Sequence, residues 1–302
     1  MRSFAVFLGL ILLGFAGLGL LGYPAWLLIS QFPGADPKFS RVASRAGMLI
    51  LLLGFIFVAR RLKVADRQSL GYGLRAGVFA REVGIGMLVG PALMLPVLAT
   101  MVLLDMRVLQ PEALAGAAAW FRILLTGVFT GLVVAFIEET FFRGAMQTAM
   151  TRESGLAPAI LLPSVVYAAL HFVAGKYRIP ASEIDYGSGF HMLAEFLRKF
   201  SDPLDILDAF LCLTAVGVLL GLVRAVTGNI AASIGLHAGW VAVILVVRQT
   251  SLPNSQSSLA WMIDDHDGFI GWLVLAWTPL MGWILYRWYR KRGAVTSPAA
   301  PG

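Results

Sequence analysis

The sequence predicts an all-α fold, a polytopic helical bundle in a membrane with about eight transmembrane helices. Composition and the spacing of apolar runs predict it together. Of 302 residues, 58% are hydrophobic and 14% charged, with a mean hydropathy of +0.79. A soluble domain runs nearer half apolar and a quarter charged. So few charges cannot cover a water-facing surface, which excludes a disordered chain, a collagen-like fibre and an ordinary cytosolic enzyme. The apolar residues gather at 4–30, 46–59, 83–104, 122–150, 157–175, 209–224, 229–247 and 269–287. Most of these runs approach the ~20 residues that cross a hydrocarbon core.

Each element has a local reason. The first run follows Arg2 but is long and lacks a small-x-small cleavage site, so it reads as a retained helix rather than a signal peptide. The second is short, and the third contains Pro91 and Pro96. Small-residue pairs (Gly86/Gly90, Gly127/Gly131, Gly217/Gly221) allow close helix approach. The 176–208 connection, with Pro180 and Pro203, is long and polar: a lid, an interfacial helix or a solvated loop. Trp283, Tyr286, Trp288 and Tyr289 mark the last run's interfacial end, and the tail after Arg292 reads as disordered. The organisation expected is 1–119 as N-terminal helices with a basic loop, 120–248 as a core, and 249–302 as polar loop, last helix and tail.

The formal charge of +7 reflects basic loops in such a protein, and no nucleic-acid partner is expected. Arg60, Arg61, Lys63, Arg67, Arg75, Arg81, Arg152, Arg224, Arg287, Arg290, Lys291 and Arg292 fall on one side if both termini are cytoplasmic. Asp264, Asp265 and Asp267 fall on the other, where Lys38, Arg41 and Arg45 dissent. The expected location is a bacterial inner membrane. Cys212 is the sole cysteine, which excludes an intrachain disulfide and a cysteine-based zinc cluster.

Ionisable groups inside apolar runs cost about 2.5–3.5 kcal/mol each for Asp, Lys or Arg at a helix centre, so they are functional candidates by default. The fourth run carries Glu138, Glu139 and Arg143; the fifth carries His171 and the seventh His237. His191 and His266 fall in polar connections. Counting 1.5 Å per residue from a turn at 151–156 puts Glu138 about 18 Å and His171 about 21 Å deep, with His237 about 12 Å past its own helix start. The three depths are similar enough to meet. Glu139 and Arg143 stand at i and i+4, so the guanidinium can neutralise that carboxylate and leave Glu138 freer. A carboxylate stripped of water takes a proton more readily, and a nearby imidazole can share it or donate to an oxyanion. Alternatively Glu138, His171 and His237 hold a divalent metal such as zinc with an open water position. Both routes end in attack of water on an acyl carbon. No Gly-x-Ser-x-Gly, His-Glu-x-x-His or P-loop occurs, and Ser233 is merely i−4 from His237.

Glu138-Glu139-x-x-x-Arg143, Tyr167-x-x-x-His171 and Gly-Asn-Ile-Ala-Ala-Ser-Ile-Gly-Leu-His237 together resemble the CPBP family. These are the type II CAAX prenyl endopeptidases and their bacterial relatives, some linked to bacteriocin processing or immunity. The resemblance covers about 120–245 and implies an intramembrane endopeptidase of glutamic or metallo type. It implies that Glu138 activates water with help from His171, that Glu139 and Arg143 shape the site, and that His237 stabilises the oxyanion. The substrate implied is a membrane-anchored protein or peptide in the lipid bilayer. Two positions depart from the family: Tyr167 replaces the usual Phe, and Val241 replaces the Asn of the prenyl-processing enzymes. The second change weakens a preference for prenylated tails and removes an oxyanion donor. The competing expectation is a non-catalytic immunity or scaffold protein, or a proton-coupled transporter; the latter predicts paired broken helices in two related halves.

Overall fold

The computed structural model describes residues 1–110, 116–173, 177–263 and 268–292. Asp264, Asp265, His266, Asp267 and the tail beyond Arg292 lie outside the described residues. All eight apolar runs form helices: α1 (Arg2–Ser30), α2 (Phe39–Arg61), α3 (Ala76–Leu103), α4 (Ala117–Glu139) continuing into α5 (Gln147–Ser154), α6 (Leu156–Phe172), α8 (Leu207–Thr227), α9 (Ala231–Thr250) and α10 (Trp272–Lys291). An eleven-residue helix, α7 (Ser188–Arg198), lies between α6 and α8.

Six of these segments, with Ala117–Ser154 taken as one, are long and apolar enough to cross a membrane. Helix α6, at 17 residues, spans only about 25 Å against a hydrocarbon core of about 30 Å. Helix α10 dilutes its apolar stretch with Arg287, Arg290 and Lys291. The bundle also carries a pair of three-residue strands, β1 (Arg107–Leu109) and β2 (Ser251–Pro253), paired antiparallel with Val108 opposite Leu252. Between them Arg107 is buried, its Nε donating to Ser251 Oγ at 2.9 Å and its Nη2 to Ser251 O at 2.8 Å. Its Nη1 donates to Gly268 O, tying down the turn that carries Phe269 and Ile270.

Glycines set how closely the helices approach. Helix α9 runs between α3 and α4 with backbone against backbone. A Cβ on Gly86 would stand 2.8 Å from the Gly235 Cα, and one on Gly131 only 2.4 Å from the Ala238 carbonyl oxygen. Gly217 and Gly221 of α8 likewise receive Ser164 and Ile160 of α6. All three glycine pairs noted in the sequence are packing positions. Gly131→Ala is therefore expected to push α4 off α9, at about 1–3 kcal/mol of overpacking strain. A lowered thermal midpoint in detergent checks this, and a wild-type midpoint counts against it.

The 177–208 stretch holds a helix packed against the bundle. Helix α7 turns Ser188, Gly189, Met192 and Phe196 inward, and Gly189 sits so close to Gly19 of α1 that a Cβ there would lie 2.6 Å from its carbonyl. At the opposite end of the bundle, Arg152 donates to Lys63 O, and Arg292 pairs with Glu82 at 2.8 Å. The Met1 ammonium lies against Glu153 there. Both ends of the described chain thus lie on the side of the α2–α3 and α5–α6 connections.

Candidate active site

The site begins where α4 stops being a regular α-helix. Thr140–Met146 is a π-helical segment directly after Glu138 and Glu139. Such wide turns concentrate at functional sites. The connection between α2 and α3 braces it. Tyr72 Oη and Thr140 Oγ1 hydrogen-bond at 2.5 Å, and Gly144 leaves room for the Leu70 carbonyl, 2.9 Å from where a Cβ would stand. The Ile230 amide at the start of α9 donates to Gly71 O at 3.2 Å. Within that connection Asp66 accepts from the Ser69 amide at 2.9 Å. The Ser69 hydroxyl and amide together hold the Asp66 carboxyl below its ordinary value.

Glu139 is fully buried and serves two donors. Arg143 Nη1 donates to its Oε1 at 2.9 Å, and His237 Nδ1–H donates to the same oxygen at 2.9 Å. Arg143 Nη2 donates onward to Gly217 O of α8 at 3.0 Å. Its guanidinium carbon lies 4.7 Å from the centre of the Tyr167 ring. One buried ion pair thereby connects α4, the π segment, α6, α8 and α9.

The arrangement fixes both imidazole tautomers. A carboxylate oxygen can only accept, so His237 Nδ1 carries a hydrogen, and in the neutral ring Nε2 then presents a lone pair. His171 Nδ1 faces its own helix's Tyr167 carbonyl at 2.8 Å, so His171 also carries its hydrogen on Nδ1. Glu138 Oε2 stands 3.8 Å from His237 Nε2, with the Glu138 side chain 29% exposed. That oxygen is buried and has no hydrogen-bond partner.

The expected residues therefore meet. Glu138, Glu139, Arg143 and His237 form one contact set. His171 joins through Tyr167, whose ring centre is 4.5 Å from the His171 ring and 6.0 Å from the His237 ring. His191 lies on α7, away from this set. The zinc arrangement of Glu138, His171 and His237 is not formed: three donors must surround one point, and among the described residues no three His, Cys, Asp or Glu groups do so. Both Nδ1 atoms are engaged with oxygen acceptors, which orients the two rings and leaves their Nε2 atoms turned away from those partners.

A cavity of about 230 Å³ opens from the two imidazoles. Tyr167, His171, His237 and Val241 line its inner part, and it reaches Arg248, Phe269 and Trp277. Eleven residues of α9 separate His237 from Arg248, about 16 Å along the helix axis. Glu138 stands beside the inner end rather than in the wall. The walls between are aliphatic and aromatic, and both indole N–H groups there are committed to α3: Trp240 donates to Gly90 O and Trp277 to Leu93 O. Sequence reading missed the π segment, the brace from the α2–α3 connection, the Gly217 carbonyl and the Phe269–Ile270 end of the cavity. The Gly217/Gly221 pair was a signal for the third of these; the others arise from distant packing and leave no local trace.

A helical bundle in a membrane with buried acid and imidazole around an apolar cavity defines the class. Comparison adds a family likeness: residues 119–243 match the model of the type II CAAX prenyl endopeptidase, Rce1-like family. That is a family of intramembrane peptide hydrolases, and every residue of the contact set lies inside the matched stretch. No curated protein and no solved structure matches the chain.

Proposed function

We propose that this protein is an intramembrane endopeptidase that hydrolyses a peptide bond of a membrane-anchored protein or peptide, with Glu138 as general base. The observation that carries the reading is the 3.8 Å gap between Glu138 Oε2 and His237 Nε2. A water bridging it gives one hydrogen to each acceptor and turns a lone pair outward. Glu138 takes the proton as the water oxygen bonds to the carbonyl carbon, then returns it to the leaving amine as the C–N bond breaks. Glu139 holds His237 in the tautomer that keeps Nε2 an acceptor, and Arg143 neutralises Glu139. His171 assists with a second acceptor in the same cavity. The apolar walls favour a substrate segment that already lies in the bilayer.

The test compares membrane peptides from cells producing wild-type protein with those from cells producing Glu138→Gln or His171→Ala variants. New peptide termini present only with the wild type support the reading. Identical termini in all three sink it and favour a scaffold.

A further inference from the structure

We infer that the Tyr167 hydroxyl is the donor that meets the negative charge developing on the scissile carbonyl oxygen. The inference rests on the hydrolase reading and adds a catalytic residue to it. Attack of water sends the carbonyl π electrons onto oxygen, and that oxyanion needs an N–H or O–H aimed at it.

The donors around the cavity are few, and each is identifiable. His237 and His171 both carry their hydrogens on Nδ1, bonded to Glu139 and to the Tyr167 carbonyl, so each offers only a lone pair at Nε2. While the rings are neutral, imidazoles so held act through their Nε2 lone pairs, and a hydrogen for the oxyanion must come from another group. Arg143 directs Nη1 to Glu139 and Nη2 to Gly217 O. The indoles of Trp240 and Trp277 donate to α3 carbonyls. Arg248 lies at the far end, about 16 Å along α9, and Val241, one turn beyond His237, has nothing to give. There remains Tyr167, which lines the cavity beside both imidazoles. Its hydroxyl makes no hydrogen bond among the described residues.

The tyrosine is also held for the purpose. Its ring is buried, with Arg143 over it at 4.7 Å and the Phe142 ring edge-on at 5.6 Å. Its backbone carbonyl receives His171. A phenol fixed on three sides loses little freedom when it binds an oxyanion, as preorganised donors require. The sequence of bonds is then complete: water oxygen to carbonyl carbon, water proton to Glu138, carbonyl electrons to oxygen under the Tyr167 O–H, and the proton back to the amine as C–N breaks.

The experiment uses the full chain in proteoliposomes and a hydrophobic reporter peptide chosen from the termini found above. Tyr167→Phe deletes one oxygen and keeps the ring against Arg143. We expect kcat to fall about 10²–10³-fold, with KM and the thermal midpoint at wild-type values, a split that a packing role would not produce. Glu138→Gln runs beside it as control. An inactive Glu138→Gln with Tyr167→Phe at the wild-type rate overturns this inference and leaves the hydrolase reading standing. Both variants at the wild-type rate overturn the hydrolase reading itself.

Discussion

Glu138→Gln is expected to lower kcat on a membrane-embedded reporter by about 10²–10⁴-fold, the contribution of a well-placed general base. Stability should not move. Glu138 is 29% exposed, and its buried Oε2 gives up no hydrogen bond on substitution. Gln keeps the shape and an acceptor oxygen but cannot take a proton from water. The decisive pair of measurements is single-turnover cleavage and a thermal melt on the same preparation. Lost turnover with an unchanged melt assigns Glu138 to chemistry, whereas both falling together would assign it to packing.

Arg143→Met is expected to do the opposite, with stability and activity falling together. The Arg143–Glu139 pair is 2% and 0% exposed. Removing the guanidinium strands a buried carboxylate, a loss of about 3–5 kcal/mol for breaking such pairs. Glu139→Leu combined with Arg143→Met removes both charges, and replacing a buried pair with apolar side chains is often neutral. The double variant should regain most of the thermal midpoint yet stay inactive, because His237 Nδ1 has lost its acceptor. A double variant as unstable as Arg143→Met alone would show that the pair matters for more than charge balance.

Much of this was readable before any coordinates. Charged residues in apolar runs are so costly that Glu138, Glu139, Arg143, His171 and His237 stood out one by one, and the structure brings them into one neighbourhood. The i,i+4 relation gave the Glu139–Arg143 pair directly. What escaped is what depends on the shape of distant backbone. The fourth run read as one plain helix because hydropathy does not distinguish an α turn from a π turn. The direction of each imidazole's Nδ1–H follows from oxygen acceptors on other turns and helices, which no sequence pattern reports. Tyr167 was visible only as a substitution; that its hydroxyl makes no hydrogen bond among the described residues emerges from the packing around it.

In the hydrolase we propose, Glu138 Oε2 and His237 Nε2 face each other 3.8 Å apart, with the His237 Nδ1 hydrogen spent on Glu139. A molecule that bridges two lone pairs must bring two hydrogens on a single atom. Water does; an alcohol brings one and leaves the other partner unanswered. Such a pair would select its nucleophile by hydrogen count, and steer a cleaved acyl group toward a free acid instead of an ester.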